Sequence, residues 1–282
     1  TMKHYKHIIV KPIAGAIGAD IENVDISKPL SDDELSEIRT AFLDHLVICI
    51  RGQTLQPKSQ LAFARHFGTP MIYPFVKGLD QYPEITPVIK EKEHKINFGG
   101  LWHSDTAYEQ TPPLGTMLYA RQLPPYGGDT EFSNMYLAYE TLSNGMRALL
   151  ENLIAVNISG KGRVQDTRAP MRGTAATSAR EDSFIAEHPV VRTHPETGRK
   201  SLYVNLAHTS HFKGMTAEES APILDYLFEH QVKPEFTCRV KWEVGTLTFW
   251  DNRCTQHHAV WDYYPHSRYG ERVSIIANER PS

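Results

Sequence analysis

Long apolar segments are missing from this chain of 282 residues. No run approaches the about 18 consecutive apolar residues that a membrane-spanning helix needs, and the first residues show no signal-peptide pattern. Blocks of like charge are missing as well, because 30 Lys and Arg residues nearly balance 33 Asp and Glu residues, for a net charge of −3. This balance argues against nucleic acid or a membrane surface as the main partner, and we expect a cytoplasmic protein.

Cysteine is also scarce, with three residues at wide spacing (Cys49, Cys238 and Cys254) and no CxxC motif. This pattern argues against a disulfide framework or a zinc ribbon and suits free thiols in a reducing compartment. The chain is 40% hydrophobic and 22% charged, which is ordinary for a globular protein. Because no internal repeat or evident linker divides it, residues 1–282 are predicted to form a single domain.

Helix and strand signals are mixed along the chain. Ser31 and Glu34 form a capping box at the start of a predicted helix, and Pro57 opens a second helix that ends by Gly68. Short β-type runs separated by turn signals dominate the C-terminal half. We therefore predict an antiparallel β core surrounded by helices. The main strand predictions are residues 46–50, 236–242, 245–250 and 272–277, with a further helix near 217–231.

Residues 160–187 have a different composition from the rest of the chain. They are rich in Gly, Ala, Thr and Arg and show almost no apolar periodicity. A loop of this length inside a compact domain is usually either a functional lid or disordered. We predict a lid loop here and keep disorder as the alternative.

A histidine and an aspartate two residues apart, His103 and Asp105, stand in the segment LWHSDTAY (101–108). On a strand, two such side chains point to the same face, which suits a facial triad of two His and one carboxylate around iron(II). The chain has 14 His residues, so a pair with this spacing arises easily by chance. The pair becomes meaningful only if a distant segment supplies the third ligand.

The segment 250–272 offers that ligand. His257 and His258 are adjacent, and since neighbouring strand residues face opposite sides, one should point inward and the other outward. Arg268 and Arg272 share one face if the chain resumes as a strand, with a glycine between them that leaves space. Two inward arginines are costly unless anions meet them, so they suggest sites for two acidic groups. The alternative places both arginines on a solvated outer face.

Four segments together resemble the iron(II)/2-oxoglutarate dioxygenases of the taurine and aryloxyalkanoate dioxygenase family. They are WHSDTAY (102–108), GGDT (127–130), WDNRCTQH (250–257) and an arginine eleven residues after that last histidine. The similarity extends over nearly the whole chain. It implies a mainly β fold with surrounding helices, the double-stranded β-helix or jelly roll. It also implies O2-dependent decarboxylation of 2-oxoglutarate to succinate and CO2, coupled to hydroxylation of a small acidic substrate (a sulfonate, sulfate ester or aryloxyalkanoate).

The resemblance implies roles for individual residues as well. Matched position by position, they are the iron(II) ligands His103, Asp105 and His257, the 2-oxoglutarate-binding residues Thr130 and Arg268, and the substrate-binding Arg272. O2 is the second cosubstrate, and His258 is not a ligand by this match. Members of the family commonly assemble as dimers or tetramers, so the resemblance also implies a homo-oligomer.

The chain departs from the taurine enzymes at positions where those bind substrate. Tyr73 and Val76 replace a His and a Tyr, and Gly99 falls where the taurine enzymes have an Asn. These changes remove groups that recognise a small amino-sulfonate. We therefore predict a larger, more aromatic pocket, with ordinary core packing of the aromatic residues as the alternative. The candidate lining residues are Tyr73, Phe75, Phe98, Tyr108 and His208.

Two other functions would use the same residues. A metal-dependent hydrolase or isomerase would employ metal-bound water as nucleophile, and it would leave Thr130 and Arg268 without a role. A non-catalytic binding module with the same β-helix fold would tolerate loss of the metal ligands. Because all three ligands and Arg268 are present, we favour the oxygenase.

The remaining histidines are expected to be structural. His194 and Glu196 also have metal-ligand spacing, but they stand in HPETGRK, which we predict to be an exposed hairpin turn. His45 and His230 fall on predicted helices and are expected at the surface or in packing contacts.

Overall fold

The structure is a computed structural model that describes residues 5–161 and 184–282. Most of the lid loop predicted at 160–187 therefore lies outside the described residues. No helix among the described residues is long and apolar enough to cross a membrane.

Five α-helices lie in the described part of the chain, and the first follows the sequence signals closely. The Ser31 side chain accepts a hydrogen bond from the Glu34 backbone N–H, and the Glu34 carboxylate accepts one from the Ser31 N–H, which completes the capping box. Leu46 ends this helix in a left-handed conformation with φ of 65°. The helices are α1 (Asp32–His45), α2 (Pro57–Arg65), α3 (Met135–Glu140), α4 (Asn144–Leu150) and α5 (Ala217–His230).

Short strands make up most of the remaining regular structure, as the turn-punctuated β-type runs predicted. They are β1 (Ile9–Pro12), β2 (Ala19–Glu22), β3 (Val47–Ile50), β4 (Thr86–Lys90), β5 (Gly115–Gln122), β6 (Thr130–Asn134), β7 (Ile154–Ile158), β8 (Ile185–Pro189), β9 (Val191–Thr193), β10 (Lys200–Leu202), β11 (Thr209–Phe212), β12 (Thr237–Val240), β13 (Leu247–Asp251), β14 (Thr255–Ala259) and β15 (Arg268–Ile275).

Two packed sheets form the jelly roll. The larger has seven strands in the order β1-β2-β3-β13-β5-β15-β4, antiparallel except where β2 pairs with β3. The smaller has the order β12-β6-β14, and two further small sheets, β11-β7-β8 and β10-β9, lie beside the helices α3 and α5. The predicted antiparallel β core with surrounding helices is confirmed.

The larger sheet is covered on both faces. On one face α1 and α2 pack against it, with the Phe42 ring stacked on Phe249 at 3.9 Å between centroids. On the other face Trp250 meets Phe132 of the smaller sheet, with centroids 5.5 Å apart. Every residue of β13 is buried as a result, which explains why its sequence LTFWD shows no apolar alternation.

Several of the smaller predictions can be checked in this core. All three cysteines are buried and free, as their spacing indicated. His230 is buried and its Nε2 atom lies 2.8 Å from the Ala138 carbonyl oxygen, which confirms a packing role. The hairpin turn predicted at HPETGRK joins β9 to β10 and is exposed at residues 195–200, but His194 differs from the prediction because it is buried at 1% exposure.

Candidate active site

The three predicted metal ligands, His103, Asp105 and His257, come together where a loop meets β14. His103 and His257 form a single backbone bridge, with N–H to O distances of 3.1 and 2.9 Å in the two directions. The bridge brings their imidazole rings to 4.1 Å between centroids. One ligand atom from each of the three residues lies within 4.8 Å of the other two.

Asp105 reaches this point from a turn. Thr106 has φ of 45°, a left-handed conformation that is unfavourable for a β-branched residue and turns the chain directly after Asp105. The strand geometry that we expected for the His-x-Asp pair is therefore wrong, although the two side chains do face each other. The Asp105 Oδ1 atom lies 3.6 Å from Nε2 of His103 and 3.8 Å from Nε2 of His257.

The donor set fits a divalent metal ion such as iron(II). The distances from Asp105 to both imidazoles are too long for hydrogen bonds, and its Oδ2 atom is buried without a hydrogen-bond partner. The Nδ1 atom of His103 lies 2.6 Å from the Leu101 carbonyl oxygen. Since a carbonyl only accepts, Nδ1 carries the proton and Nε2 presents its lone pair to Asp105, the arrangement usual for a metal-bound histidine.

The protonation states of these groups also suit a metal. Burial alone would raise the pKa of Asp105, but the Arg272 guanidinium, 3.7 Å away, and the neighbouring histidines hold that pKa well below its usual range. Burial, the largest cause, lowers the pKa of His257 to about 3. At neutral pH the site therefore offers a carboxylate and a neutral imidazole, the forms that bind metal ions.

A cavity of about 740 Å³ extends from the triad between the two sheets. His103 and His257 line one part of it, and Thr130 of β6 and Arg268 of β15 line another. The guanidinium of Arg268 lies 5.2 Å from the Trp242 ring centroid, and its Nη2 atom is buried without a hydrogen-bond partner among the described residues. The sequence-predicted residues for 2-oxoglutarate are thus in one cavity with the triad.

The hydroxyl of Thr130 is fixed by a neighbour that the sequence analysis did not identify. Trp242 Nε1 donates to Thr130 Oγ1 at 3.0 Å, which leaves the Thr130 hydroxyl free to orient its own proton toward the cavity. Tyr263 also lines this cavity beside Arg268. Both aromatic residues stand in ordinary strand or loop sequence, and no local signal distinguished them from core residues.

A second cavity, of about 450 Å³, adjoins the first. Both cavities are lined by His103, Arg272 and the loop residues Phe98 and Gly99. The other lining residues of the second cavity include the predicted substrate-binding side chains Tyr73, Tyr108 and His208. The Arg272 guanidinium lies 4.5 Å from the Tyr73 ring centroid, and the rings of Tyr108 and His208 are 4.9 Å apart.

Two expectations about this region need correction. Phe75 does not line either cavity, because its ring packs behind Tyr73 and Tyr108 at 5.6 and 5.8 Å between centroids. Gly270, between the two arginines, does not open space for a ligand directly. A Cβ atom there would lie 2.9 Å from Leu118 Cδ1, so the glycine makes room for the Leu118 side chain. Leu118 in turn lines the larger cavity, the one of about 740 Å³ that contains Thr130 and Arg268.

His257 and His258 behave as the strand argument predicted. His257 points to the triad, whereas His258 stacks on Trp102 with ring centroids 5.5 Å apart, and its Nδ1 atom lies 3.5 Å from the Glu131 carboxylate. The two arginines also follow the prediction of a shared inward face, since both line the larger cavity.

A second buried cluster combines His194, Asp251 and Cys254. His194 Nδ1 accepts from the backbone N–H groups of Glu196 and Thr197, both at 3.2 Å, so Nε2 carries the proton and donates to Asp251 Oδ2 at 3.0 Å. Arg253 donates to both oxygens of the same carboxylate at 2.8 and 2.7 Å. These polar atoms already satisfy one another, so the cluster is structural. The exposed hairpin turn predicted for HPETGRK is confirmed between β9 and β10, but His194 itself is buried and attaches the turn to the interior.

Comparison with known proteins agrees with this site. The family model described as taurine catabolism dioxygenase TauD, TfdA family matches residues 9–274. An alpha-ketoglutarate-dependent 2,4-dichlorophenoxyacetate dioxygenase from Cupriavidus pinatubonensis is 33% identical over 268 residues, which cover 89% of this chain and 91% of the relative. An alpha-ketoglutarate-dependent sulfate ester dioxygenase from Pseudomonas putida is 33% identical over 289 residues, which cover 100% and 93%.

The fold agrees as well. The crystal structure of a taurine dioxygenase from Burkholderia xenovorans superposes with a TM-score of 0.82 at 34% sequence identity, covering 98% of this chain and 91% of that one. Sequence match, fold and metal-binding triad lead to one assignment. This chain belongs to the taurine catabolism dioxygenase TauD, TfdA family and is an iron(II)- and 2-oxoglutarate-dependent dioxygenase.

Proposed function

We propose that this enzyme hydroxylates a small organic anion. Its acid group binds Arg272, and its apolar body occupies the second cavity, which is lined by Tyr73, Phe98 and Tyr108 and is called the aromatic cavity from here on. One observation carries the proposal: two adjoining cavities meet at His103 and Arg272, and the larger one contains a second arginine, Arg268. Two separate organic acids can therefore be bound beside a single metal site.

In this proposal His103, Asp105 and His257 hold iron(II), and Thr130 with Arg268 binds the far carboxylate of 2-oxoglutarate. Iron(II) and 2-oxoglutarate held there would supply the O2 chemistry, in which one oxygen atom enters succinate, CO2 is released and the other oxygen atom enters the hydroxylated product. The chain contributes binding, orientation and exclusion of water. The bond from His103 Nδ1–H to the Leu101 carbonyl keeps one imidazole oriented, and Trp242 orients the Thr130 hydroxyl.

The aromatic cavity supports an acid with an aromatic or apolar body in preference to taurine. Tyr73, Phe98 and Tyr108 line it. Among the described residues, the only carboxylate that lines it is Asp105, which already faces Arg272 and the histidines and so does not favour a substrate ammonium group. Two relatives are named for 2,4-dichlorophenoxyacetate and for sulfate esters, which share this combination of an acid group and an apolar body. We therefore rank aryloxyalkanoates and alkyl sulfate esters above amino-sulfonates as substrates.

The test is succinate formation by protein loaded with iron(II) under anaerobic conditions and started with O2 and 2-oxoglutarate. Taurine, other alkylsulfonates, alkyl sulfates and aryloxyalkanoates are added separately. Strong stimulation by an aryloxyalkanoate or a sulfate ester is expected, with release of a phenol or of sulfate, because hydroxylation of the carbon next to the ether or ester oxygen gives a product that breaks down to a carbonyl compound. Stimulation by taurine alone would contradict the substrate ranking.

An Arg272→Met variant separates substrate binding from cosubstrate turnover. Its iron content is measured first, because Arg272 also faces Asp105. With iron bound, we expect the slow succinate formation that needs no substrate to persist and the stimulation by substrate to be lost. Absence of succinate from iron-loaded wild-type protein would contradict the oxygenase and favour a hydrolase.

The assembly and the organisation of the chain remain predictions. A dimer or tetramer is expected from the family resemblance, and light scattering coupled to size-exclusion chromatography measures it. Residues 1–282 are expected to unfold as a single domain, which a single coincident transition in urea by fluorescence and circular dichroism would support.

A further inference from the structure

Lys90 occupies an unusual position beside the cosubstrate site. It is the last residue of β4, at the edge of the larger sheet, and its Cα atom pairs directly with that of Arg268 on β15. Both side chains line the 740 Å³ cavity that contains Thr130. Lys90 is only 8% exposed, although lysine is among the residue types least often buried.

The ammonium group of Lys90 has no anionic partner in the described part of the chain. It donates to the Ile96 carbonyl oxygen and lies 3.8 Å from the Trp261 ring centroid, both of which are neutral contacts. No carboxylate among the described residues forms an ion pair with it. Burial lowers its pKa to about 8, which shows that the charged form is poorly compensated here.

Two other buried cations of this protein, both arginines, each lie against a carboxylate. Arg272 faces Asp105 at 3.7 Å, and Arg253 donates to both oxygens of Asp251. In the described part of the chain, no carboxylate forms an ion pair with the other two cations of the 740 Å³ cavity, Lys90 and Arg268, which stand opposite each other on paired strands. Two adjacent, uncompensated positive charges favour a dianion or a carboxylate arriving from outside. An ammonium has three donors, and one is used by Ile96, so donors remain for a ligand.

We propose that Lys90 is a second cationic contact for the far carboxylate of 2-oxoglutarate, acting together with Arg268. This inference rests on the proposed function, because it assumes that Arg268 marks the carboxylate end of the cosubstrate. Lys90 would then strengthen cosubstrate binding at a position where the family resemblance implied only a threonine and an arginine.

A purely structural role is the competing explanation. Lys90 holds the loop after β4 through Ile96, and the same loop is attached by the Asn97 side chain and the Gly99 carbonyl to the backbone of Ala259, at 2.7 and 2.9 Å. Phe98 of this loop lines both cavities. Loss of Lys90 could therefore loosen the loop and weaken every ligand of the cavity to a similar degree.

The two explanations differ for a cosubstrate analogue without the far carboxylate. Calorimetry on the Mn(II)-loaded protein compares 2-oxoglutarate with 2-oxopentanoate, which has the same carbon chain and one carboxylate fewer. For Lys90→Met we expect the Kd of 2-oxoglutarate to rise about 10- to 100-fold, the range for loss of a hydrogen bond to a charged group. The Kd of 2-oxopentanoate should change by less than about 2-fold, because that ligand presents nothing to the ammonium.

Lys92→Met is the matched control, because Lys92 lies two residues further along the same loop with its side chain 72% exposed. It should leave both Kd values unchanged, and Lys90→Arg should restore part of the lost affinity. An equal rise for both ligands in Lys90→Met, or no rise for either, would overturn the proposal for Lys90 alone. If the wild-type protein does not bind 2-oxoglutarate, the proposed function itself fails, and that outcome is distinct from the other two.

Discussion

Two buried clusters of this protein each combine histidine and aspartate with a third side chain that can bind a metal, and they differ in what their polar atoms contact. In the first cluster, His103, Asp105 and His257, the Asp105 Oδ2 atom has no hydrogen-bond partner and the closest imidazole nitrogens lie beyond hydrogen-bond distance. In the second, both ring nitrogens of His194 and both oxygens of Asp251 are hydrogen-bonded.

The comparison shows that residue types and spacing do not identify a metal site. Both clusters bring their ligand atoms within 4.8 Å of one another, and both are almost fully buried. Buried polar groups are normally satisfied, so the Asp105 Oδ2 atom without a hydrogen-bond partner, close to the Nε2 lone pair of His103, indicates a cation-binding site. Both aspartates lie beside an arginine, but Arg253 donates hydrogen bonds to both oxygens of Asp251, whereas Arg272 lies 3.7 Å from Asp105, beyond hydrogen-bond distance. The second cluster is therefore a closed structural network.

The largest effect is expected for Asp105→Asn, which replaces the carboxylate of the first cluster by a neutral group of the same shape. Replacing a residue that only orients a metal ligand typically lowers activity about 10- to 100-fold. Asp105→Asn removes a metal ligand itself, so turnover should fall by more than that. Iron content after dialysis and succinate formation measure the effect. Full iron binding and turnover in this variant would show that the first cluster is not the metal site.

The same change in the second cluster, Asp251→Asn, should affect stability. It removes the buried carboxylate that faces Arg253 and leaves only the partly exposed Glu196, 2.7 Å from Arg253, as an anionic partner. Breaking a buried pair typically costs about 3–5 kcal/mol of unfolding free energy. Urea unfolding monitored by tryptophan fluorescence measures the loss, and the variant should still bind iron when folded. Weaker destabilisation than that of Asp105→Asn would contradict the structural role assigned to this cluster.

The structural role of the second cluster also predicts how the unfolding free energy depends on pH. Burial raises the pKa of Asp251, but Arg253 and His194 together hold it below the ordinary value of 3.8. The folded protein therefore binds fewer protons than the unfolded chain at low pH. The stabilisation is fully present above about pH 4 and is lost as the pH falls below that. The difference in unfolding free energy between wild type and Asp251→Asn should be constant from pH 5 to 8 and shrink below pH 4.

The smallest effect is expected for His258→Gln, next to the ligand His257. His258 stacks on Trp102, outside the triad, so turnover should change by less than about 3-fold and unfolding free energy by less than about 1 kcal/mol. His257→Gln provides the matched comparison and should behave like Asp105→Asn. Loss of iron in the His258 variant would reverse our assignment of the inward histidine.

Local sequence signals predicted much of the fold. The capping box at Ser31, the proline at the start of α2 and the turn-separated strand runs all concern contacts within a few residues, and each was confirmed. Spacing alone proposed the His-x-Asp pair, the adjacent histidines and the two arginines, and the resemblance then selected His257 and assigned a role to each residue. Lys90 and Trp242 were missed, because nothing in their neighbouring sequence shows that the end of β4 and the segment after β12 border the cavity that contains Arg268.

The sequence by itself determined the antiparallel β core, its free cysteines and the set of residues from which a metal site could be built. Only the tertiary structure decided that His103 and Asp105 meet His257 with unsatisfied atoms, whereas His194 turns inward to an aspartate that is already neutralised. The physical reason is that hydrogen-bond satisfaction and burial depend on groups far apart in the chain, such as Arg253 beside His194 and Arg272 beside Asp105. Spacing along the chain carries no information about those partners.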